Sequence, residues 1–224
     1  MQRYVKQNRF SQLVVILLVG FYFLPTCTLA APLSVEEFIA LGQETRSEVK
    51  NLTSLELWAL YEKSFYERQI SEQSVPKDHP LRGMFEPVNA RMATYQLVFR
   101  DRADGGDPVA TYAYAVLNLE TCHALVKGLG SEGAGVGRCY RESISRLESI
   151  ADENYHAAFE LGVMHAKGQG VASSKYNAAD WFTKSGNAAL DSMDREYAVR
   201  AMEAALEQVA DHPEALRLKN IMFN

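Results

Sequence analysis

The stretch that decides the fold is AAFELGVMHAKGQGVASSKYNAADWFTKSG, residues 157–186. It divides at Gly168 and Gly170 into two runs, each with apolar residues returning at three- and four-residue steps, the period of an amphipathic helix. Small Ala157, Gly162 and Ala178 let the two helices approach closely. Gly168 and Gly170 supply the positive backbone dihedrals of a tight turn, and Val171 tucks the linker against the pair. Trp181 and Phe182 bring the bulk that fills the hairpin. A single hairpin cannot bury both of its faces, so helical neighbours are expected.

Taken together, Ala157-x-x-x-Leu161-Gly162-x-Met164-His165-x-x-Gly168-x-Gly170-Val171 and Ala178-x-x-Trp181-Phe182-x-Lys184 resemble one Sel-one-like repeat, a branch of the tetratricopeptide-like solenoids. His165 stands where that family usually has tyrosine, Ser174 where aspartate is common, and Ser185-Gly186 where two alanines are common. An amphipathic ring replacing another in a packed groove accounts for His165 without a catalytic role. The resemblance implies a short right-handed helical-hairpin solenoid that scaffolds protein complexes through its concave face, around residues 140–200.

Downstream, residues 192–210 form an Ala-rich amphipathic helix, and His212-Pro213 breaks the chain before a last helix carrying Leu216 and Ile221. Upstream, Asp107-Pro108 pairs an N-cap with proline at the first helical position, opening a helix to about Lys127 with Tyr112, Ala113, Val116 and Leu117 inward. Helix resumes near Arg138 with Tyr140, Ile144, Leu147 and Ala151 inward. Between them, Gly128-x-Gly130-x-x-Gly133 matches the dinucleotide fingerprint by letter, but that fingerprint requires a preceding strand, and a helix precedes it here. An interhelical loop is the reading. Lys127-Gly128-Leu129-Gly130 echoes Lys167-Gly168-Gln169-Gly170, and Ala113-x-x-x-Leu117 echoes Ala157-x-x-x-Leu161. Their offsets of 40 and 44 make the upstream hairpin a degenerate repeat.

The region before residue 100 is also helical. Ser34-x-x-Glu37 and Thr53-x-x-Glu56 have capping-box spacing. Leu57, Trp58, Tyr61 and Phe65 form one stripe, and Phe85, Val88, Met92, Tyr95 and Phe99 form another, both better read as core than as ligand platforms. Residues 71–83, with Pro76, Pro80 and Gly83, read as a loop. No segment alternates apolar and polar residues, so the expected fold is all-α: a helical N-terminal region at 31–100 and a repeat region at 107–224.

With 47% hydrophobic and 23% charged residues in 224, the chain suits one or two globular domains rather than a disordered polymer. Arg3, Lys6 and Arg9 are the only charges in residues 1–30, so the whole-chain −5 becomes −8 beyond them. Nucleic acid is a poor partner for such an acidic body, because affinity for a phosphate backbone rests on Lys and Arg. The three opening charges, the apolar run of twelve at residues 13–24 and Thr28-Leu29-Ala30 are laid out as a secretory signal peptide cleaved before Ala31. The run is short for a span of about 20 residues, although an uncleaved anchor remains an alternative. Lipidation at Cys27 fits badly, because Pro25 and Thr26 stand where a lipobox needs small residues. An exported chain retains Cys122 and Cys139, and an oxidising compartment makes a disulfide their default state.

No chemistry-bearing pattern emerges. His79, His123, His156, His165 and His212 form no metal-spaced pair, and neither a nucleophile elbow nor a phosphate loop is present. The expectation is therefore a periplasmic or secreted, non-enzymatic protein without catalytic, cofactor or metal residues, which binds a protein partner in the bacterial cell envelope. Membrane contact would come only through an uncleaved signal or a lipid. The alternative is an envelope hydrolase acting on peptidoglycan or peptides, with its site in residues 34–100 and the repeats as a docking module.

Overall fold

The computed structural model describes residues 33–74, 86–130 and 135–223, and the elements among them are nine α-helices with no strand. In order they are α1 (Val35–Glu48), α2 (Ser54–Ser74), α3 (Glu86–Asp104), α4 (Pro108–Leu129), α5 (Val136–Ile150), α6 (Tyr155–Lys167), α7 (Lys175–Asp191), α8 (Arg195–Gln208) and α9 (Pro213–Phe223). The all-α expectation holds. The candidate leader 1–30 with Cys27, and also His79, Phe85 and Gly133, lie outside the described residues.

Most helix starts are set by local chemistry that the sequence carries. Ser34 and Glu37 close a reciprocal capping box on α1, and Thr53 and Glu56 do the same at the head of α2. Asp107 accepts from Val109 N–H at 2.9 Å and Ala110 N–H at 3.0 Å, with Pro108 opening α4. Asn154, Ser174 and Asp194 cap α6, α7 and α8. Ser174 Oγ accepts from Asn177 N–H at 3.2 Å, which satisfies one of the free donors at the head of α7.

From α2 to α9 packing follows chain order, each helix lying against the next, whereas α1 lies chiefly against α3. The first core joins Leu57 and Tyr61 of α2, Met92, Tyr95 and Phe99 of α3, and Ala113 and Leu117 of α4. A second joins Leu119 and Cys122 of α4, Tyr140, Ile144 and Leu147 of α5, and Ala157, Leu161 and Met164 of α6. Further cores bind α6, α7, α8 and α9. Because α4 contributes to the first two cores, it is buried on two sides and bridges the N-terminal helices to the rest.

Three boundaries and faces differ from expectation. Helix α2 runs to Ser74, into the stretch read as a loop, because Ser71–Ser74 hold no breaker; Pro76 disfavours helix only at the residue before it. Helix α8 starts at Arg195 rather than near Ser192, since Ser192 caps α7 and Met193 adopts a left-handed φ of 61°. On α9 the apolar Leu216 and Ile221 are exposed, while Ala215, Leu218 and Met222 are buried. The 215/218/222 spacing turns that face inward, where Gly186 leaves room for Leu218; a Cβ on Gly186 would stand 2.6 Å from Leu218 Cδ2.

Candidate binding face

The residues of the quoted hairpin meet as their sizes require. Ala157, Leu161, Ala178 and Phe182 are buried, and a Cβ on Gly162 would stand 2.6 Å from the Phe182 ring. Trp181 takes a different part: it packs on the preceding α4–α5–α6 core beside Val171, with Lys184 Nζ 4.8 Å above its ring. Gly168 and Gly170 have φ of 68° and 73°, as the turn demands. Ser185 is buried and donates to the Tyr155 carbonyl at 2.7 Å, which satisfies its hydroxyl inside the packed pair. His165 is half-buried, and no hydrogen-bond partner of its buried Nδ1 is found among the described residues.

Cys122 of α4 and Cys139 of α5 are bonded, with their Cα atoms 5.6 Å apart. Asn118 reinforces this junction, donating to the Cys139 carbonyl at 3.1 Å and to Ser143 Oγ at 2.9 Å.

The side chains most suited to recognition lie on alternate helices. Helix α4 carries Tyr112, Glu120, His123 and Lys127; α6 carries His156, Glu160 and Lys167; α8 carries Tyr197 and Arg200. Spacings of three, four, seven and eight place each set on one side of its helix. The sets meet: ring centroids are 5.8 Å apart for Tyr112 and His156, and 4.6 Å apart for His156 and Tyr197. Arg200 lies 4.8 Å from the Phe159 ring and 5.6 Å from that of Tyr197, a cation–π arrangement that orders an otherwise exposed guanidinium. His123 hydrogen-bonds Gln169 at 2.9 Å, linking α4 to the glycine turn.

Burial perturbs this face. It pushes the Glu160 carboxyl up against the opposing pull of Arg200, Lys167 and His123, and it pushes Glu120 up against His123 and Arg68. The Tyr112 and Tyr197 phenols are likewise driven upward by burial, and the His156 imidazole is held down by it.

Two open clefts flank the face. One of about 390 Å³ lies among α2, α3 and α4, lined by Tyr61, Phe65, Arg68, Asn89, Gln96 and Glu120. The other, about 460 Å³, lies between His123, Lys127, Tyr140 and the 168–170 turn. Among the described residues no three His, Cys, Asp or Glu side chains are placed to hold a metal, and no helix is long and apolar enough to cross a membrane. His212 is structural: buried at the head of α9, it accepts from Ala215 N–H through Nδ1 at 3.3 Å and reaches Asp180 through Nε2 at 3.0 Å.

Tyr112 is half-buried and packs against the α4–α5–α6 core as its place on the inward stripe predicts, whereas Glu120, Glu160, Lys167 and Arg200 stand in no chemical motif of the sequence. The signal available was a second, polar stripe at helical spacing on helices whose apolar stripes were already assigned. The chain matches no family model, no curated protein and no solved structure. Fold and face therefore define its class alone: an all-α protein with a joined aromatic and charged face on α4, α6 and α8.

Proposed function

We propose that this protein is an exported interaction scaffold of the bacterial cell envelope, a short right-handed solenoid of Sel-one-like hairpins that holds a protein partner on the α4–α6–α8 face. The observation that carries the reading is the meeting of Tyr112, His156 and Tyr197 from three successive hairpins into one surface. Aromatic rings beside Arg are the residue types that dominate protein interfaces. The repeat reading draws support from the first helices of adjacent hairpins: Ala157 and Leu161 of α6 are buried toward α4 and α5, and Ala113 and Leu117 of α4 are buried toward α2 and α3. The test is an envelope pull-down with the disulfide-bonded protein, compared with Tyr197→Ala and Arg200→Glu. A stoichiometric partner lost in the variants supports the scaffold; one retained by both variants, or none above background, overturns it. Intact mass checks export: a chain beginning at Ala31 is expected, against an uncleaved chain or one lipidated at Cys27.

The cleft among α2, α3 and α4 favours a second reading, an envelope hydrolase with its site largely in residues 34–100. Glu120, its carboxyl raised by burial, would serve as the acid. Hydrolysis of peptidoglycan or a peptide, abolished by Glu120→Gln, would establish that activity; a purified protein inactive on both substrates removes it.

A further inference from the structure

Asn118 presents Cys139 with acceptors that a disulfide sulfur cannot use. Its Nδ2 donates to the Cys139 carbonyl and to Ser143 Oγ, which fixes Oδ1 of the same amide 3.7 Å from Cys139 Sγ. The Asn118 carbonyl oxygen stands 3.5 Å from that sulfur. A bonded sulfur carries no proton, whereas a thiol S–H donates to such oxygens. The two sulfurs also differ in access: Cys122 is 0% exposed, while Cys139 is half-buried. Cys139 lies in the first turn of α5, where the positive end of the helix favours a thiolate; Glu142, one turn on, is engaged by Tyr114 and Arg146. The helix pair has other ties besides the bond. Leu119 of α4 packs with Tyr140, Ile144 and Leu147 of α5, and neither Asn118 hydrogen bond involves a sulfur.

We infer that the Cys122–Cys139 bond is a thiol-exchange site, opened at Cys139 Sγ by a low-molecular-weight thiol of the glutathione class, with Asn118 holding the Cys139 thiol of the opened form. A thiolate attacks Cys139 Sγ; a new S–S bond forms there as the Cys122–Cys139 bond breaks, and Cys122 leaves as a thiolate that takes up a proton. A second thiolate attacks the small molecule's sulfur in that mixed disulfide. The products are the small disulfide and the Cys139 thiolate, which takes up a proton and shares it with an Asn118 oxygen. Two small thiols are thereby oxidised to one disulfide, and the protein disulfide is reduced to two thiols. Attack at Cys122 is closed, because the α4–α5–α6 core covers that residue completely. Opening releases the tie on the end of α4, which carries His123 and Lys127 to the cleft beside the 168–170 turn.

The test treats the folded, disulfide-bonded full chain with reduced glutathione, followed by acid quenching and peptide mass mapping. The mixed disulfide is expected at Cys139 at least about tenfold over Cys122, and it should form without denaturant. In Cys122→Ser the remaining thiol should react with glutathione disulfide in the folded state, whereas in Cys139→Ser the remaining thiol should react only on unfolding; far-UV circular dichroism checks that both variants are folded. Asn118→Leu loses the two hydrogen bonds common to both redox states and the Oδ1 acceptor used by the thiol form alone. Its equilibrium with glutathione should therefore move toward the disulfide by about two- to fivefold. Adducts at Cys122 as frequent as at Cys139, reduction that waits for unfolding in urea, or an Asn118→Leu equilibrium that does not move each overturns the inference.

Discussion

Gly170 joins two costs that Gly106 and Gly162 carry separately, and this makes its substitution a sharp test of how the hairpins stack. Its φ is 73°, and an added Cβ would lie 2.3 Å from Tyr140 Cβ and 3.1 Å from Ile144 Cδ1 of α5. Placing alanine in the left-handed region costs about 1–2 kcal/mol. Forcing a methyl against a close-packed neighbour costs about 1–3 kcal/mol, and a Cβ cannot swing aside as a side-chain tip can. Gly170→Ala should therefore destabilise by about 2–5 kcal/mol, the sum of those two costs. Gly106 isolates the first cost, with φ of 88° and no heavy atom within 4 Å of an added Cβ. Gly162 isolates the second: it sits within α6, where alanine regains up to about 1 kcal/mol of helix propensity against the Phe182 clash. Urea unfolding of the three alanine variants, followed by circular dichroism at constant m-value, ranks them. A Gly170→Ala protein as stable as Gly106→Ala would refute the close approach of the 168–170 turn to α5.

Reducing the Cys122–Cys139 bond, 17 residues apart in sequence, should cost about 3 kcal/mol in the chain-entropy account; unchanged urea midpoints with and without reductant would contradict it. Burial alone would raise the Asp107 carboxyl, but hydrogen bonds from Ser54 and from Ala110 and Val109 N–H, helped by Arg102, hold it below its usual range. Its stabilising contribution is thus complete above a pH of about 4 and lost as the pH falls through the depressed value. Asp107→Ala should cost about 1–2 kcal/mol at pH 7; Asp107→Asn, which keeps the capping oxygen, should cost less and flatten the acid limb in a pH series of urea melts. Glu160 has the opposite sign: burial raises its carboxyl, so the charged form opposes folding at neutral pH and the penalty disappears on acidification. Glu160→Gln should match or exceed the native protein's stability at pH 7, and a clear loss would show that its charge is stabilising. His212→Ala should cost about 2 kcal/mol through the lost cap and lost Asp180 bond, with His212→Asn in between; amide exchange across α9 reads both, and equal protection in all three proteins would refute the capping role.

Much of the fold was legible because its signals are local. Capping boxes at Ser34 and Thr53, and the Asp107-Pro108 start of α4, act within four residues and need no tertiary partner. Apolar stripes at Met92, Tyr95 and Phe99, and at Tyr140, Ile144 and Leu147, became buried faces because helical periodicity alone brings them to one side. Trp181 shows where this stops: its size foretold burial, but whether it filled its own hairpin or the junction with the one before depended on where Gly162 and Phe182 left space.

What the sequence determined by itself was the helical content, most of the helix starts, the turn glycines and the separation of a basic leader-like segment from an acidic body. Only tertiary structure decided which side of each helix faced which neighbour. On α9, a rotation of about 100° per residue separates buried Ala215 from exposed Leu216, and Gly186 across the interface selects between them. The same holds for the binding face. Tyr112, His156 and Tyr197 are 44 and 41 residues apart, and no local signal joins them. They meet because α4, α6 and α8 are brought together by the helices packed behind them, and that packing is a property of the whole chain.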